Sequence, residues 1–396
     1  MPRLRYLTAG ESHGKALTAT IEGLPAGLPV SRDLLGKELW RRRLGYGRSP
    51  RMDFEADELE VLGGVRHGRT LGSPVSVVIQ NTEWPKWVDA MDPEPRDDLD
   101  EIRESGRGEQ LTRPRPGHAD LVGALKYEYD DVRDALERAS ARETAARVVV
   151  GTLARQLLHE VGIRVLSHVV VLGGEAVPDD APMPSPGDLD AIDEDPVRCF
   201  HADASQRMQD RIDWAVEHNE TLGGVIEVIV HGLPPGLGSH VHADRKIDGR
   251  LAGAALSVQA MKGVEFGLGF RLGDVPGSQA HDEITWTDED GYARTSDRAG
   301  GIEAGMTTGQ PLIMRVVMKP LSSLDRPLRT VHIDTHQEDV AITQRSDRCA
   351  VPRAGVVLEH VVAYELADAL LEKTGGDTVA EVRRNLQAYL DAVAER

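Results

Sequence analysis

The sequence predicts a mixed α and β protein with many loops, and three observations support this class. Short apolar runs with a period of two, typical of strands, alternate along the chain with longer runs at helical spacing. The 396 residues include 40 glycines and 22 prolines, which favours turns and loops over a helical bundle. Hydrophobic residues make up 40% of the chain but aromatic residues only 4%, so the predicted core consists of Val, Leu, Ile and Ala.

The bulk properties exclude several classes of protein. A net charge of -19 argues against binding to nucleic acids or anionic membranes, because the overall field repels polyanions. The two cysteines, Cys199 and Cys349, cannot form a disulfide framework, which indicates a reducing compartment. The N-terminus lacks the apolar region of a signal peptide, and no run approaches the roughly 18 apolar residues of a membrane span. These features together predict a cytoplasmic protein, with either one large domain or two tightly fused domains.

The first predicted element is a hairpin whose turn carries three reactive side chains. Period-two runs flank Gly10–Gly14, so we expect a strand, a tight turn and a second strand. The turn holds a carboxylate, a hydroxyl and an imidazole at a place where Asn or Asp is common. A polar surface turn and one wall of a site are both compatible with this pentapeptide alone.

The next element is a helix that Ser31 is predicted to cap and that continues through Trp40. It ends in Arg41–Arg43, and cations near a helix C-terminus complement the helix dipole. That explanation does not extend to Arg48 and Arg51, which follow in a glycine-rich segment. Guanidinium groups on such a segment can converge on one anion, so we predict an anion site here.

Strands are predicted over 58–65 and 75–80, and a long irregular segment follows at 81–118. An irregular segment of this length inside a compact protein is usually a functional loop or disordered. Its last part, within Arg113–Asp120, alternates arginine and proline before a histidine. The prolines stiffen the backbone, so these side chains are predicted to be held in place.

A second anion site is predicted where the longest helix of the first half begins. Ser140 and Glu143 form a Ser-x-x-Glu capping box that would open a helix extending to Val161. A helix N-terminus attracts anions, and Arg138 and Arg142 flank this one.

The second half of the chain alternates strands and helices with a glycine-rich segment between them. We predict strands over 163–172, 224–231, 264–270 and 311–318, helices over 204–218, 244–255, 356–373 and 378–394, and a surface loop over 176–195. The segment 298–309 has too many glycines for a helix or strand, and its small side chains could wrap a flat ligand.

Several common site motifs are absent from the sequence. There is no Gly-x-Gly-x-x-Gly after a strand and no Walker A motif, so a nucleotide-binding fold lacks support. The serine-hydrolase elbow and the His-Glu-x-x-His zinc motif are also missing. His240 and His242 are interpreted as an ordinary loop pair, so no metal site is predicted.

What remains is a set of arginines in loop settings, joined by two histidines and one carboxylate. The set comprises Arg42, Arg48, Arg51, Arg115, Arg138, Arg345, His13, His118 and Asp347. Arginines bind phosphates and carboxylates, and histidine transfers protons near neutral pH. These residues predict an enzyme acting on a phosphorylated acid. The alternatives are a cofactor-independent lyase or transferase on a phosphorylated sugar acid, and a non-enzymatic anion-binding or scaffold protein.

Six motifs together resemble the chorismate synthase family, in that family's order and over nearly the whole chain. They occupy residues 10–14, 41–48, 113–120, 138–144, 298–309 and 345–352. The resemblance implies an α+β fold in which helical layers are sandwiched between antiparallel β-sheets. It also implies a single domain over residues 1–396, long active-site loops around 81–118 and 271–310, and a homotetramer.

The resemblance further implies the last step of the shikimate pathway, which leads to the aromatic amino acids. In a 1,4-anti elimination, 5-enolpyruvylshikimate 3-phosphate loses phosphate and one ring hydrogen to give chorismate. Reduced FMN is the implied cofactor, because transient electron donation weakens the allylic C–O bond although there is no net redox change. No additional reductase segment is evident, so NADPH would act indirectly through a separate flavin reductase, as in the monofunctional bacterial type.

The implied residue roles follow the motifs. His13 would protonate the departing phosphate, His118 would manage the proton of the reduced flavin, and Asp347 would assist removal of the ring hydrogen. The implied substrate contacts are Ser12, Arg42, Arg48, Arg51, Arg115, Arg138 and Arg345. The implied FMN contacts are Arg138, Ala139, Ser140, Gln259, Ala260, Gly305, Lys319, Pro320, Leu321, Ser322, Ser323 and Arg345. Arg42 and Arg48 are also implied as NADP contacts, although both suit the substrate. Ala304 and Asp297 occupy positions where the family pattern favours Gly and Asn.

Overall fold

Two antiparallel β-sheets with helices between them form the framework of the protein. The computed structural model describes residues 3–47, 58–104, 106–288, 291–343 and 347–396. The strands are β1 (Arg5–Ala9), β2 (Ala16–Glu22), β3 (Glu58–Gly63), β4 (Val65–Arg66), β5 (Arg69–Thr70), β6 (Val75–Gln80), β7 (Arg164–Leu172), β8 (Glu175–Ala176), β9 (Gly224–His231), β10 (Met261–Phe266), β11 (Ile284–Thr287), β12 (Gly291–Arg294), β13 (Ile302–Glu303), β14 (Met306–Thr307), β15 (Leu312–Met318), β16 (Arg329–Val331) and β17 (Glu338–Val340). The helices are α1 (Arg32–Arg41), α2 (Leu99–Glu104), α3 (Asp120–Tyr127), α4 (Arg133–Ala139), α5 (Thr144–His159), α6 (Leu189–Glu194), α7 (Ala202–His218), α8 (Ile247–Leu256), α9 (Gly277–Ala280), α10 (Val351–Thr374) and α11 (Val379–Ala394).

The first sheet contains the predicted N-terminal hairpin. Its strand order is β1-β2-β6-β3, and every pair in it is antiparallel. In β2 the side chains of Leu17, Ala19 and Ile21 are buried, while the residues between them are more exposed. This alternation is the sequence signal that predicted the strand, and the hairpin prediction is confirmed.

The second sheet has the strand order β10-β15-β9-β7-β8 and is also antiparallel throughout. Its central strands, β7 and β9, are buried along most of their length. α10 packs on both of these strands. Leu166, Ile192 and Ile229 form a small apolar cluster that is separate from the main core. Burial on both faces explains why these strands are almost continuously apolar in sequence.

The layer between the sheets is formed mainly by α5 and α10. α5 packs on β2, α10 packs on β7 and β9, and the two helices pack against each other. The sandwich implied by the family resemblance is therefore confirmed. Although α10 has 24 residues, neither it nor any other helix in the described ranges is long and apolar enough to cross a membrane.

Close contact between the two central helices depends on a glycine. A Cβ atom added at Gly151 in α5 would lie 2.3 Å from the Cβ of His360 in α10. Real Cβ atoms do not approach that closely, so any side chain here must push the helices apart.

We therefore expect Gly151→Ala to lower the free energy of unfolding by about 1–3 kcal/mol, the usual cost of overpacking a core. Urea unfolding followed by circular dichroism measures the change. Gly249→Ala in α8 is the matched control, because a Cβ atom there meets nothing within 4 Å. The control should retain or slightly gain stability, and an equal loss in both variants would contradict the packing explanation.

A buried cluster of charges joins α1, α5 and α10. The carboxylate of Glu359 accepts hydrogen bonds from Arg41 Nη1 at 2.8 Å and from Arg198 Nη2 at 2.9 Å. Arg41 also donates to Glu38 at 2.7 Å, and Arg155 in α5 donates to the same carboxylate at 2.8 Å. The first arginine of the predicted Arg41–Arg43 run is thus part of the core and is not available to an anionic ligand.

The predicted start of the longest first-half helix is wrong in detail. The Oγ atom of Ser140 caps a short 3-10 turn over Ala141–Glu143 by accepting from the backbone N–H of Arg142, and α5 begins at Thr144. The carboxylate of Glu143 accepts instead from Thr8 Oγ1 at 2.8 Å and from Arg147. Glu143 therefore ties this helix to β1 and does not complete a capping box.

Other predictions also differ in detail from the structure, and α10 begins at Val351 rather than at residue 356. β10 ends at Phe266 rather than continuing to residue 270, because Gly267 and Gly269 have positive φ angles of 56° and 53° and turn the chain away. The segment predicted as irregular, 81–118, contains α2 and two 3-10 turns. The predicted surface loop over 176–195 contains α6.

Candidate active site

A cavity of about 550 Å³ lies where several connecting segments meet. Its walls come from the β1–β2 turn, the segment before α3, the turn before α5, the connection before β10, the segment after β15 and the N-terminus of α10. The predicted site residues that line it are Ser12, His13, Arg42, Arg115, His118, Ala139, Ser140, Gln259, Ala260, Lys319, Pro320, Leu321, Ser322, Ser323 and Asp347. Residues from distant parts of the sequence thus meet around one space.

His13 is held at the cavity wall by α4. Its Nδ1 atom lies 2.8 Å from Oε1 and 2.9 Å from Oε2 of Glu137, whose side chain is only 1% exposed. The backbone N–H of His13 donates to the same carboxylate, and that of Ser12 donates to the Glu137 carbonyl oxygen at 3.1 Å. The imidazole also stacks on the ring of Trp87, with 3.8 Å between ring centroids.

His118 is held in a similar way by Asp120. Nδ1 of His118 forms a short contact with Oδ1 of this fully buried carboxylate, and Arg115 donates to Asp120 from its backbone N–H and from Nε. Burial raises the pKa of Asp120, but the hydrogen bonds from His118 and Arg115 outweigh that effect and hold the pKa well below its usual range. Arg115 also donates to Ser323 Oγ at 2.9 Å, so it links the segment before α3 to the segment after β15.

A basic and polar wall completes the cavity. Arg42 is largely buried, and its Nη1 atom lies 3.5 Å from Thr144 Oγ1 at the start of α5. The hydroxyls of Ser140 and Ser12 are 3.2 Å apart, which joins the turn before α5 to the β1–β2 turn. Asp347 accepts from Arg353 Nη1 at 2.5 Å.

Some predicted residues lie elsewhere. The guanidinium group of Arg138 donates to the carbonyl oxygens of Gly10 and Thr8, both at 2.9 Å, and does not line the cavity. Gly305 lies in the β13–β14 turn, where its carbonyl oxygen accepts from the backbone of Ile247, and it is not among the lining residues. The predictions for Arg48, Arg51 and Arg345 fall outside the described residues.

The structure adds residues that the sequence did not name as ligand contacts, and Arg142, predicted to flank the second anion site, is among them. Arg142, Arg353 and Asn81 line the cavity, and Glu137 and Trp87 contact His13. Arg142 stands in a recognised motif, but sequence alone could not determine whether it or Arg138 faces the ligand. Glu137 gave no signal, because it is 124 residues from His13 in sequence.

The cavity is suitable for a flavin. Oε1 of Gln259 is buried and has no hydrogen-bond partner among the described residues, although Gln259 Nε2 donates to Glu143. A buried acceptor of this kind costs free energy unless a ligand donates to it, and a flavin ring carries such a donor. Lys319 also lines the cavity, where its Nζ donates to the Gly117 carbonyl oxygen, and burial together with repulsion from Lys262 lowers the pKa of Lys319.

Asp297 lies directly before the glycine-rich segment 298–309 and has an unusual environment. Its Oδ1 accepts from the backbone N–H of Gly301 at 2.7 Å, while Oδ2 is buried without a hydrogen-bond partner in the described ranges. Burial, together with the charge of Asp282, raises the pKa of Asp297 to about 6. The folded protein therefore binds a proton here more tightly than the unfolded chain.

Because the folded pKa is raised, Asp297 favours the folded state below the unfolded pKa of about 3.9, and this contribution is lost as the pH rises through 6. We expect Asp297→Asn to raise the free energy of unfolding at pH 7.5 by on the order of 1 kcal/mol, after allowance for partial exposure. The gain should shrink as the pH falls to 5. Urea unfolding at both pH values tests this, with the exposed Asp288→Asn as control, and a gain independent of pH would contradict the assignment.

Comparison with known proteins gives a consistent result over the whole chain. The sequence model of the chorismate synthase family matches residues 4–371. The chain is 57% identical over 394 residues to a protein named chorismate synthase from Thermobifida fusca, covering 99% of this chain and 100% of that protein. It is 58% identical over 396 residues to the chorismate synthase of Parafrankia sp., with coverage of 99% and 100%.

The structural comparison agrees with the sequence comparison. A crystal structure of chorismate synthase superposes with a TM-score of 0.79 at 40% sequence identity, covering 99% of both chains. The match extends over nearly the whole length of both chains, and the sequence identity is far above the range in which only the fold is shared. The chain belongs to the chorismate synthase family.

Proposed function

We propose that the cavity carries the reaction of this family, the elimination of phosphate and a ring hydrogen from 5-enolpyruvylshikimate 3-phosphate to give chorismate. The chain is accordingly a lyase of the shikimate pathway. One observation carries the proposal: His13, His118 and Asp347 line the same cavity as Arg42 and several polar groups. Groups that can move protons and groups that can bind anions are thus available to one ligand.

Substrate binding is assigned to the basic wall. The substrate carries a phosphate and two carboxylates, and guanidinium groups bind both kinds of anion with paired hydrogen bonds. Arg42 and Arg115 are supported by their place on the wall, together with the hydroxyl of Ser12, and Arg142 and Arg353 join them. Arg48, Arg51 and Arg345 stay predictions from their motifs.

Arg138 has a different role in this proposal. Its hydrogen bonds to the carbonyl oxygens of Thr8 and Gly10 hold the turn that presents His13. It therefore supports the site through the backbone of this turn. The FMN contact of Gly305 stays a prediction from its motif.

The proton steps are assigned to three side chains. With Nδ1 engaged by Glu137, His13 can donate a proton from Nε2 to the leaving phosphate, which makes phosphate a better leaving group. Asp347 is the carboxylate that would assist removal of the ring hydrogen, and its ion pair with Arg353 keeps it at the wall. His118, with Nδ1 engaged by Asp120, would hold a proton at Nε2.

The cofactor is proposed to be reduced FMN, held by Ala139, Ser140, Gln259, Ala260 and Lys319–Ser323, all of which line the cavity. When bound, reduced flavin supplies a transient electron that weakens the allylic C–O bond, with no net redox change. NADPH would serve indirectly through a separate flavin reductase. The alternative assignment of Arg42 and Arg48 to NADP stays a prediction.

The organisation of the protein completes the proposal. A single domain over 1–396 with loops around 81–118 and 271–310 is proposed from the family pattern, and so is a homotetramer in the cytoplasm. Exposed apolar side chains on β11 and β12, including Trp286 and Tyr292, support association. The free cysteines Cys199 and Cys349 support a reducing compartment. Light scattering should give a mass of four chains, and a monomer would contradict the tetramer.

Anaerobic incubation with the substrate and dithionite-reduced FMN tests the function. Chorismate, followed by its absorbance, should form in catalytic turnover when reduced FMN is present. Equal rates without flavin would favour the cofactor-independent lyase, and no chorismate under any reducing condition would contradict the proposed reaction. Purified oxidised FMN with no reductant is the control that should give none.

A further inference from the structure

We propose that Glu137 is a positioning residue that fixes the tautomer of His13, so that Nε2 is the ring nitrogen left for the ligand. The inference rests on the proposed role of His13 as the acid that protonates the leaving phosphate. Glu137 itself does not line the cavity, and its side chain is 1% exposed, so it acts only through the histidine.

The hydrogen bonds around Glu137 determine which atom carries the proton. Its carboxylate receives the backbone N–H of His13 at 2.9 Å and lies 2.8 Å from Nδ1 of the same residue. An ionised carboxylate offers only acceptors, so the proton between the two side chains belongs to Nδ1. A guanidinium group is also near this carboxylate, because the Nη1 atom of Arg133 is 3.9 Å from Oε1 of Glu137.

A carboxylate behind a histidine has two consequences for proton transfer. It fixes the ring orientation and tautomer, and it stabilises the doubly protonated ring that an acid catalyst needs before it donates. With Nδ1–H directed at Glu137, the second proton can only reside on Nε2. Proton donation to the phosphate from this atom leaves a neutral ring that still holds its hydrogen bond to Glu137.

Trp87 restricts the ring from a second direction. The imidazole and the indole are stacked with an angle of 21° between their planes. Guanidinium groups of Arg107 and Arg133 lie 5.5 Å and 5.9 Å from the centroid of the Trp87 ring. His13 is therefore held at its edge by Glu137 and on its face by Trp87, which limits rotation away from the ligand.

One substitution can separate the effect of the Glu137 side chain on the His13 ring from the effect of the Glu137 backbone on the β1–β2 turn. The backbone N–H of Ser12 donates to the carbonyl oxygen of Glu137, and this contact does not depend on the side chain. Glu137→Gln preserves the size of the side chain but replaces one of its two acceptor oxygens with a donor. One of the two N–H groups of His13 then loses its acceptor, while the turn remains attached to α4.

The experiment compares Glu137→Gln with the wild type and with Asp134→Asn, a matched charge change at an exposed position of the same helix. We expect kcat of Glu137→Gln to fall about 10- to 100-fold, with KM for substrate and Kd for reduced FMN changed less than threefold. The control should equal the wild type. ¹⁵N NMR of labelled histidine should find the His13 Nδ1 protonated in the wild type and a mixture of tautomers in Glu137→Gln.

The same substitution, made in a protein that already carries His13→Gln, decides whether Glu137 acts through His13. Adding Glu137→Gln to His13→Gln should cause no further loss of kcat, and Glu137→Asp should restore part of the loss. An equal loss in both backgrounds, or an unchanged kcat and tautomer, would overturn the proposal. If His13→Gln alone retained full kcat, the acid role of His13 would be refuted, while the NMR measurement would still decide whether Glu137 fixes the tautomer.

Discussion

His13→Ala is expected to lower kcat for chorismate formation by about 10²- to 10⁴-fold, the usual contribution of a general acid. The imidazole lines the cavity, is held by Glu137 and Trp87, and has its Nε2 atom available for the leaving phosphate. The arginines and the wall proposed to bind the flavin are unchanged in this variant. Binding of substrate and of reduced FMN should therefore change much less than turnover.

The measurement for His13→Ala is anaerobic steady-state turnover together with titration of each ligand. His242→Ala is the matched control, because this histidine is exposed and pairs with Asp244 on the surface. Unchanged turnover of His13→Ala would refute the acid role. Loss of binding of both ligands would instead indicate that His13 supports the shape of the cavity.

Glu359→Gln is expected to lower the free energy of unfolding by about 3–5 kcal/mol, the usual cost of leaving buried charges unpaired. Its carboxylate is fully buried and receives hydrogen bonds from Arg41 and Arg198. A neutral amide removes the charge that compensates these guanidinium groups and adds an N–H donor that faces other donors. The variant should therefore destabilise α1 and α10 together.

Urea unfolding at pH 7.5 measures the effect of Glu359→Gln. Burial raises the pKa of Glu359, but the charges of Arg41 and Arg198 outweigh it and hold the pKa well below its usual range. The stabilisation is therefore fully present at neutral pH and is lost only as the pH falls into the acid range. Glu372→Gln, at the partly exposed end of the same helix, is the control. A loss below about 1 kcal/mol for Glu359→Gln would contradict the conclusion that Glu359 compensates the charges of Arg41 and Arg198.

Elements with a clear apolar pattern, periodic or continuous, could be predicted from the sequence. The β1–β2 hairpin, β7, β9 and α7 follow patterns in which local spacing and final burial agree. The start of α5 could not be predicted in the same way. Glu143 satisfies a local capping pattern, yet its carboxylate binds Thr8, which is 135 residues away in sequence. A hydrogen bond to a distant strand thus takes the place of the local capping bond that the sequence predicted for Glu143.

The candidate site shows a similar division. Motif resemblance named His13, His118 and Asp347, and the structure places all three around one cavity. The residues alone did not show which groups hold them, because the supporting carboxylate for His13 comes from a separate helix. Local chemistry also could not separate Arg138 from Arg142, since both flank the same turn and only the fold directs one of them to the β1 backbone.

The antiparallel arrangement was accessible only through the family resemblance. Alternating helices and strands in the second half of the chain are compatible with parallel and antiparallel sheets alike. Hydrogen-bond partners of β9 and β15, which lie far apart in sequence, determine the direction of the second sheet. Periodicity identifies such strands but carries no information about their partners.

The most direct test is a crystal structure of the complex with the substrate and oxidised FMN, since both ligands are proposed to share one cavity. We expect the phosphate within hydrogen-bond distance of His13 Nε2, and the flavin ring against Gln259 and the Lys319–Ser323 segment. A phosphate bound away from His13, or a flavin outside the cavity, would contradict the proposed site.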